Sequence, residues 1–372
     1  MKLIRLFTKK RKRIIRQILP FALIPGMFSV VQTILEKGIL GDHPVYPSTG
    51  NPYSSTVLIP LLTSLFIGFS IGLFEVLYVN KWFQNRRFYE KILFKFFLYV
   101  LAIIFATLII IITRHSIGQG LNPFDSIVLD YVYSFFSNFA FWSILCYYSL
   151  AIGVSLFYKE VSDNIGQGAS LNFLTGKYHQ PKVENRVFMF LDMKSSTAHA
   201  EKLGHIKYFQ MLKDYYADIS LPILDFDGEI YQYVGDEIVI TWEPKTNKEA
   251  ADVINCFYGM KNTLLNQHSK YDESYGITPT FKAAIHYGQV TTGEIGLVKK
   301  DFVFTGDTLN TTARIQGLCN NYGVDLIVSQ NFIDILDGIG SFNFTTLGNV
   351  ALRGRSEKIE IYKAEENKSQ IA

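Results

Sequence analysis

The sequence predicts two parts: an α-helical membrane domain of four spans, then an α+β domain whose elements run in βαββαβ order. Three observations predict it. Apolar residues make up 48% of the chain and charged residues only 19%, an imbalance that points to membrane segments. Four long apolar stretches, about 14–38, 56–79, 92–113 and 131–157, confine that excess to the first half. From Arg186 onward short apolar runs alternate with amphipathic ones, as strands alternating with helices do. The 372 residues suffice for two or three domains. A net charge of +3 is too small to argue for a nucleic-acid partner. Cys146, Cys256 and Cys319 show neither paired nor metal-ligand spacing. That argues against a disulfide framework and a zinc site, and fits a reducing interior.

Each apolar stretch approaches or exceeds the roughly 20 residues that cross a bilayer. The first carries Pro20, Pro25 and Gly26 and is expected to be bent or partly interfacial. The basic start, MKLIRLFTKKRKRIIR, would also suit a signal peptide. The apolar run is long for that, and no small-x-small cleavage site follows it. Loop charge sets the orientation. The basic N-terminus stays in the cytoplasm, and segment 41–56, without Lys or Arg, faces outward. The basic connection NKWFQNRRFYEK (80–91) faces inward. HSIGQGLNPFDS (115–126), nearly uncharged apart from the preceding Arg114, faces outward. His43 and His115 read as ordinary loop residues there. The fourth span returns the chain to the cytoplasm near Lys159, so residues 1–157 form a domain of the cell membrane with both ends cytoplasmic. A large buried helical domain is the alternative, and the alternation of loop charge goes against it. Residues 158–184 read as a connector interrupted by Gly166, Gly168 and Gly176. It is either a relay of movement or a passive tether.

Residues 185–365 form the second domain, and 366–372 a polar tail. RVFMFLDM is a buried strand ending in a carboxylate. The following helix places Leu203, Ile206, Phe209, Leu212, Tyr216 and Ile219 on one face. Ser195, Ser196 or Thr197 can cap it, and Pro222 ends or bends it. In GEIYQYVGDEIVITW (228–242) two apolar runs meet at Gly235-Asp236, a pair suited to a type II′ turn. A second helix covers about 247–267, TFKAAIHYGQV is a strand, and a third helix follows DFVFTGDTLN. VDLIVS, FNFTTLGNVALRG and KIEIYKA add short strands.

This order has a geometric consequence. A strand–helix–strand crossover within one sheet makes its two strands parallel. The strand ending at Asp192 and the one running into Gly235 therefore finish at the same sheet edge. Asp192 and Asp236 should meet there, and two carboxylates in contact call for positive charge. Two hard divalent cations, Mg2+ or Mn2+, suit such a pair and suit phosphoryl-type chemistry. Lys194, Ser195, Ser196 and Thr197 open the helix after Asp192, where free N–H groups attract phosphate. The plainer reading of Asp192 alone is a helix cap. Asn310 and Arg314, at i and i+4, share one helix face and could orient a ribose and neutralise a phosphate. Singly they read as a surface amide and a salt-bridging guanidinium.

FLDMKSST, YVGDEIVI and TGDTLNTTARIQ, in this order, resemble the catalytic domain of class III nucleotidyl cyclases, the adenylate and guanylate cyclase family, over about 185–365. The resemblance implies a ferredoxin-like core and a head-to-tail homodimer with sites at the interface. Asp192, Asp236 and the Met193 carbonyl would hold two cations, while Asn310 and Arg314 come from the other chain. The ribose 3′-oxygen would attack the α-phosphorus of a nucleoside triphosphate, releasing pyrophosphate. Lys299, Lys300, Arg353 and Arg355 are candidates for the outer phosphates, or simply a solvated basic face. Adenylate cyclases usually carry Lys four residues before the second metal Asp; here it is Gln232. Their second base-reading position is Val303, with Thr305 nearby. A Gln amide can pair with adenine, so ATP is the favoured substrate, with GTP the alternative. A receptor whose cyclase-like domain binds nucleotide without turnover is a further alternative. A diguanylate cyclase would show Gly-Gly-Asp/Glu-Glu-Phe at the hairpin, and this chain does not.

Overall fold

The computed structural model describes residues 2–40, 53–83, 86–166, 170, 172–173, 175–336, 342–351 and 358–367. The chain divides into two compact units, Lys10–Ser170 and Leu171–Ala372, the latter with Met1–Lys9.

Among the described residues of the first unit, four helical segments are long and apolar enough to cross a membrane: Ile14–Glu36, Val57–Trp82, Phe88–Gly118 and Phe139–Ile165. They belong to α1 (Lys2–Leu40), α2 (Tyr53–Phe74, prolonged by a π-helical turn Glu75–Val79 and by Asn80–Trp82), α3 (Phe88–Gln119) and α5 (Phe139–Ile165). α1 runs through both of its prolines. Pro25 has no N–H to give the Phe21 carbonyl one turn earlier. That carbonyl lies against Gly68 of α2, where an added Cβ would overlap it, and Gly72 meets Ile18 and Phe21 one turn on. Gly68 and Gly72 thus let two backbones approach closely, the usual device of helix pairs in lipid.

The fourth apolar stretch is not one helix. α4 (Ser126–Ser137) stops at Asn138, whose backbone is extended and whose side chain accepts from the Ala140 N–H at 2.9 Å. This cap starts α5, so the span begins eight residues later than apolarity alone suggests (139 against 131). His115 is likewise not a loop residue. α3 extends past it, and its ring stacks on Tyr131 of α4 at 3.5 Å. His43 lies outside the described residues.

The second unit is an eight-stranded sheet in the order β2-β3-β1-β4-β6-β8-β7, with β5 paired to β4. The strands are β1 (Lys182–Met193), β2 (Glu229–Val234), β3 (Glu237–Trp242), β4 (Phe281–Ile295), β5 (Asp301–Thr305), β6 (Leu326–Ser329), β7 (Phe342–Ala351) and β8 (Lys358–Glu366). Alternation along β1 sorts its side chains by face. Val187, Met189 and Leu191 enter the main core, while Phe188 and Phe190 join a second cluster with Val239, Val290 and Phe304. Two helices cover the main core, α6 (Ser196–Asp225) and α7 (Asn247–Asn266). After the short α8 (His268–Tyr275), α9 (Asp307–Gly317) packs Ile315 into a third cluster with Ala284, Ile327 and Ile361.

The buried stripe of α6 is Met211, Tyr215, Ile219 and Ile223. Ile206 and Phe209, expected on the core face, are 79% and 70% exposed. Counted at about 100° per residue, both fall away from the stripe of Met211, Tyr215 and Ile219; Gly204, with φ 72°, lies before them and sets only Leu203 out of phase. Pro222 sits inside the helix, which ends at Asp225. Where the chain enters the sheet, Arg186 is buried between Glu184 at 2.8 Å and Glu229 at 3.0 Å, with Tyr178 at 3.3 Å.

Candidate active site

Asp192 is brought to the end of β1 by an apolar run that fills both faces of the sheet. Across the ladders it lies opposite Glu237 of β3 and Lys282 of β4. β2 and β1 both pair antiparallel with β3, so they are parallel to each other. Their ends meet at one edge, and Asp236 stands next to Glu237 in the two-residue turn between β2 and β3. Gly235 has φ 64°, and Asp236 is not among the described residues with positive φ, as a type II′ turn requires. The Tyr216 hydroxyl of α6 donates to the Gly235 carbonyl at 2.9 Å and holds the turn to the helix.

Charge at this corner is unbalanced. Burial raises the pKa of Asp192. The Lys282 ammonium, 3.2 Å from Asp192 Oδ2, pulls it down, the Asp236 charge pushes it up, and the net shift is upward. Gln316 of α9 donates to the same oxygen at 3.2 Å. Glu237 is also raised, by burial and then by the two aspartates. The donors are carboxylates and a backbone carbonyl, all oxygen, and the corner carries excess negative charge. Both properties fit hard divalent cations. Among the described residues no group of three or more His, Cys, Asp or Glu could hold a metal by itself. Two carboxylates would therefore leave room for oxygens from a substrate.

The segment after Asp192 is only partly available. The Lys194 N–H donates to the Thr280 carbonyl at 2.8 Å, and its ammonium pairs with Asp325, which Lys261 also contacts at 2.7 Å. Burial works against ionisation of Asp325, but these two ammoniums outweigh it and hold its pKa below the ordinary value. Ser195 takes a left-handed conformation, φ 56°, that turns the chain into α6, and it makes no side-chain cap bond. Ser196 and Thr197 occupy the first turn.

Asn310 and Arg314 lie on α9, whose inner face is Thr308, Thr311, Thr312, Ile315 and Gln316. Asn310 is exposed and Arg314 half-buried, and neither side chain makes a hydrogen bond or ion pair among the described residues. Gln232 follows a bulge at Tyr231, opposite Val239, and is exposed. Val303 lies opposite Gly293 and Thr305 opposite Thr291, whose carbonyl accepts from Thr305 Oγ1 at 3.3 Å. An edge-on contact of Tyr231 and Phe304, centroids 4.9 Å apart, joins the strands bearing these three positions. Lys299 pairs with Asp301 at 3.1 Å and Lys300 with Glu294 at 2.6 Å. Arg353 and Arg355 fall outside the described residues.

Sequence reasoning missed Lys282, Gln316 and the anchoring role of Tyr216. Lys282 left a signal, a lone charge within the apolar strand TFKAAIHYG. Gln316 left none, because its partner lies 124 residues away.

Residues 178–365 match the profile of the adenylate and guanylate cyclase catalytic domain. Adenylate cyclase 2 of Rhizobium meliloti is 32% identical over 219 residues, 59% of this chain and 60% of the relative. An adenylate cyclase of Anabaena cylindrica is 25% identical over 178 residues, 47% of this chain and 36% of its own length. The chain thus spans less than two thirds of these curated relatives. A bacterial light-regulated adenylyl cyclase has the same fold over 62% of this chain and 66% of its own, with TM-score 0.52 and 18% identity.

Proposed function

We propose a function from one premise: the chain belongs to the adenylate and guanylate cyclase catalytic-domain family. The protein is a membrane-anchored adenylate cyclase that converts ATP to 3′,5′-cyclic AMP and pyrophosphate. Its catalytic unit lies in the cytoplasm, at the plasma membrane. Its active sites form between two copies of the chain. The observation that carries the reading is the convergence of Asp192 and Asp236 at one sheet edge. The relatives named as adenylate cyclases support ATP as the substrate.

Asp192, Asp236 and the Met193 carbonyl would hold two divalent cations, Mg2+ or Mn2+. When bound, such ions acidify the ribose 3′-hydroxyl and neutralise triphosphate charge. The chain's own groups do the rest. Lys282 adds a fixed ammonium beside Asp192, where the triphosphate oxygens gather. The first turn of α6, with Ser196 and Thr197, presents unpaired N–H groups to phosphate. From the second copy, Asn310 orients the ribose and Arg314 stabilises charge developing on the α-phosphoryl group. The 3′-oxygen forms the new bond to the α-phosphorus, and the bond to pyrophosphate breaks. Lys194, Lys299 and Lys300 reach the outer phosphates only by leaving Asp325, Asp301 and Glu294. Gln232 reads the base, flanked by Val303 and Thr305. Its amide also suits guanine O6, so guanylate cyclase is the second reading.

The test is turnover of the full-length protein in vesicles with Mn2+ and equal ATP and GTP. Cyclic AMP is expected as the main product. Asp236→Asn is expected to lose about 100-fold or more of that activity, the scale of removing a main electrostatic contribution, with an unchanged circular dichroism spectrum. A folded Asp236→Asn variant that keeps its activity overturns the mechanism.

A further inference from the structure

Two donors hold one oxygen of Asp192. Gln316, buried on the inner face of α9, donates through Nε2 to Oδ2 at 3.2 Å. The Lys282 ammonium lies 3.2 Å from the same oxygen. It also donates at 3.1 Å to Asn320 Oδ1, in the helical turn Cys319–Tyr322. α9 is itself pinned to the sheet. Thr308 Oγ1 donates to the Gln289 carbonyl of β4 at 2.7 Å, and Ile315, next to Gln316, packs with Ala284 and Ile327. The amide of Gln316 thus reaches Asp192 from a fixed backbone. Arg314, two residues earlier, lies about 200° around the helix axis, on the opposite face.

The two donors differ in charge, and that separates their roles. A divalent cation at Asp192 and the ammonium of Lys282 repel each other, so the Lys282 contact opposes cation binding. A neutral amide meets no such repulsion. An ionised carboxylate has about four lone-pair sites, enough to accept from an amide and bind a cation together. Of the two donors, Gln316 is therefore the one compatible with cations in place. Hydrogen bonds of this kind fix the orientation of a ligating carboxylate, and losing one typically costs about 10- to 100-fold in metal affinity or activity. The bond also answers an ordinary need, since buried amides take partners. That need alone predicts no effect on cation binding, which is the difference to measure.

We propose that Gln316 is a positioning residue, which holds the Asp192 carboxylate in the orientation that receives the cations. The inference rests on the reading that places cations at Asp192 and Asp236, and extends it to a residue outside that pair. It gives α9 two duties. The inner face fixes the cation corner of its own chain, while Asn310 and Arg314 on the outer face serve, in the proposed dimer, the site of the other copy.

The experiment uses full-length chain in phosphatidylcholine vesicles. Mn2+ is titrated alone and with α,β-methylene-ATP, whose α–β bridge does not break. Free Mn2+ is read by electron paramagnetic resonance, and Asp192→Asn marks binding outside the site. Gln316→Met keeps the length of the side chain and removes the donor. With an unchanged circular dichroism spectrum, it is expected to bind Mn2+ about ten-fold or more weakly than wild type. Gln316→Leu repeats the measurement should the methionine variant not fold. Thr312→Val, on the same inner face, removes a hydroxyl bonded to the Thr308 carbonyl of its own helix, and is expected to keep wild-type affinity. Wild-type affinity in a folded Gln316 variant overturns the proposal, and so does an equal loss in Thr312→Val. Should the wild type bind Mn2+ no better than Asp192→Asn, the two-cation reading fails and takes the proposal with it.

Discussion

Two aspartates, each plain in isolation, acquire meaning from where the chain puts them. The meeting of Asp192 and Asp236 at one sheet edge was legible in the sequence because a helical crossover makes the two strands it joins parallel. The rule fixes which strand ends share an edge before any contact is known. Lys282 showed only as a lone charge in an apolar strand, with no sign of its partner, and Gln316 not at all, since each reaches Asp192 from a strand or helix far along the chain. Pairing across a sheet and packing of a helix on its face carry no short-range signature. Gln232 is the residue we propose to read the base. It is exposed beside a bulge, so its side chain is free to be exchanged without disturbing the core. A good bidentate contact to a base is worth about 1–3 kcal/mol of discrimination. Gln232→Glu removes the amide donor and offers acceptors to guanine N–H groups. The ratio of turnover with ATP to turnover with GTP is expected to fall about ten-fold or more. An unchanged ratio in a competing-substrate assay would move base reading away from this position.

At the scale of elements, hydrophobic period located every long helix of the membrane unit but not their breaks. Asn138 ends one helix and caps the next within an apolar run, and the run itself gives no sign of it. α6 gave the opposite difficulty, because its period reads as continuous across Gly204 while the backbone is not. The pairing of α1 with α2 was hidden too, since it depends on backbone rather than on side chains. Pro25 frees the Phe21 carbonyl, and Gly68 accepts it at a distance no other residue allows. Overpacking at such a contact costs about 1–3 kcal/mol. Gly68→Leu is therefore expected to lower the unfolding midpoint of the detergent-solubilised protein. Gly118→Leu is the control, for an added Cβ there meets nothing within 4 Å. Equal midpoints for the two variants would show that α1 and α2 do not meet in this way.

For the molecule as a whole, charge decides more than packing does. The four apolar segments are equivalent by length, and nothing in a single span says which end faces the cytoplasm. The distinction lies in the connections. Residues 80–91 hold Lys81, Arg86, Arg87 and Lys91, whereas 115–126 hold no Lys or Arg. Basic loops tend to stay on the cytoplasmic side, so the proposed orientation puts residues 80–91 and the end of the fourth segment there. In keeping with that orientation, Lys91 is partly wet while Lys95 is dry: the first stands at the end facing the basic loop, the second inside the bundle. Cysteines introduced one at a time into a Cys146→Ser background, where the remaining Cys256 and Cys319 are buried, test this arrangement. Asn122→Cys is expected to react with a membrane-impermeant maleimide in intact cells, and Lys81→Cys only after the membrane is opened. The reverse pattern would put the catalytic unit outside, away from cytoplasmic ATP, and would remove the proposed function together with the orientation.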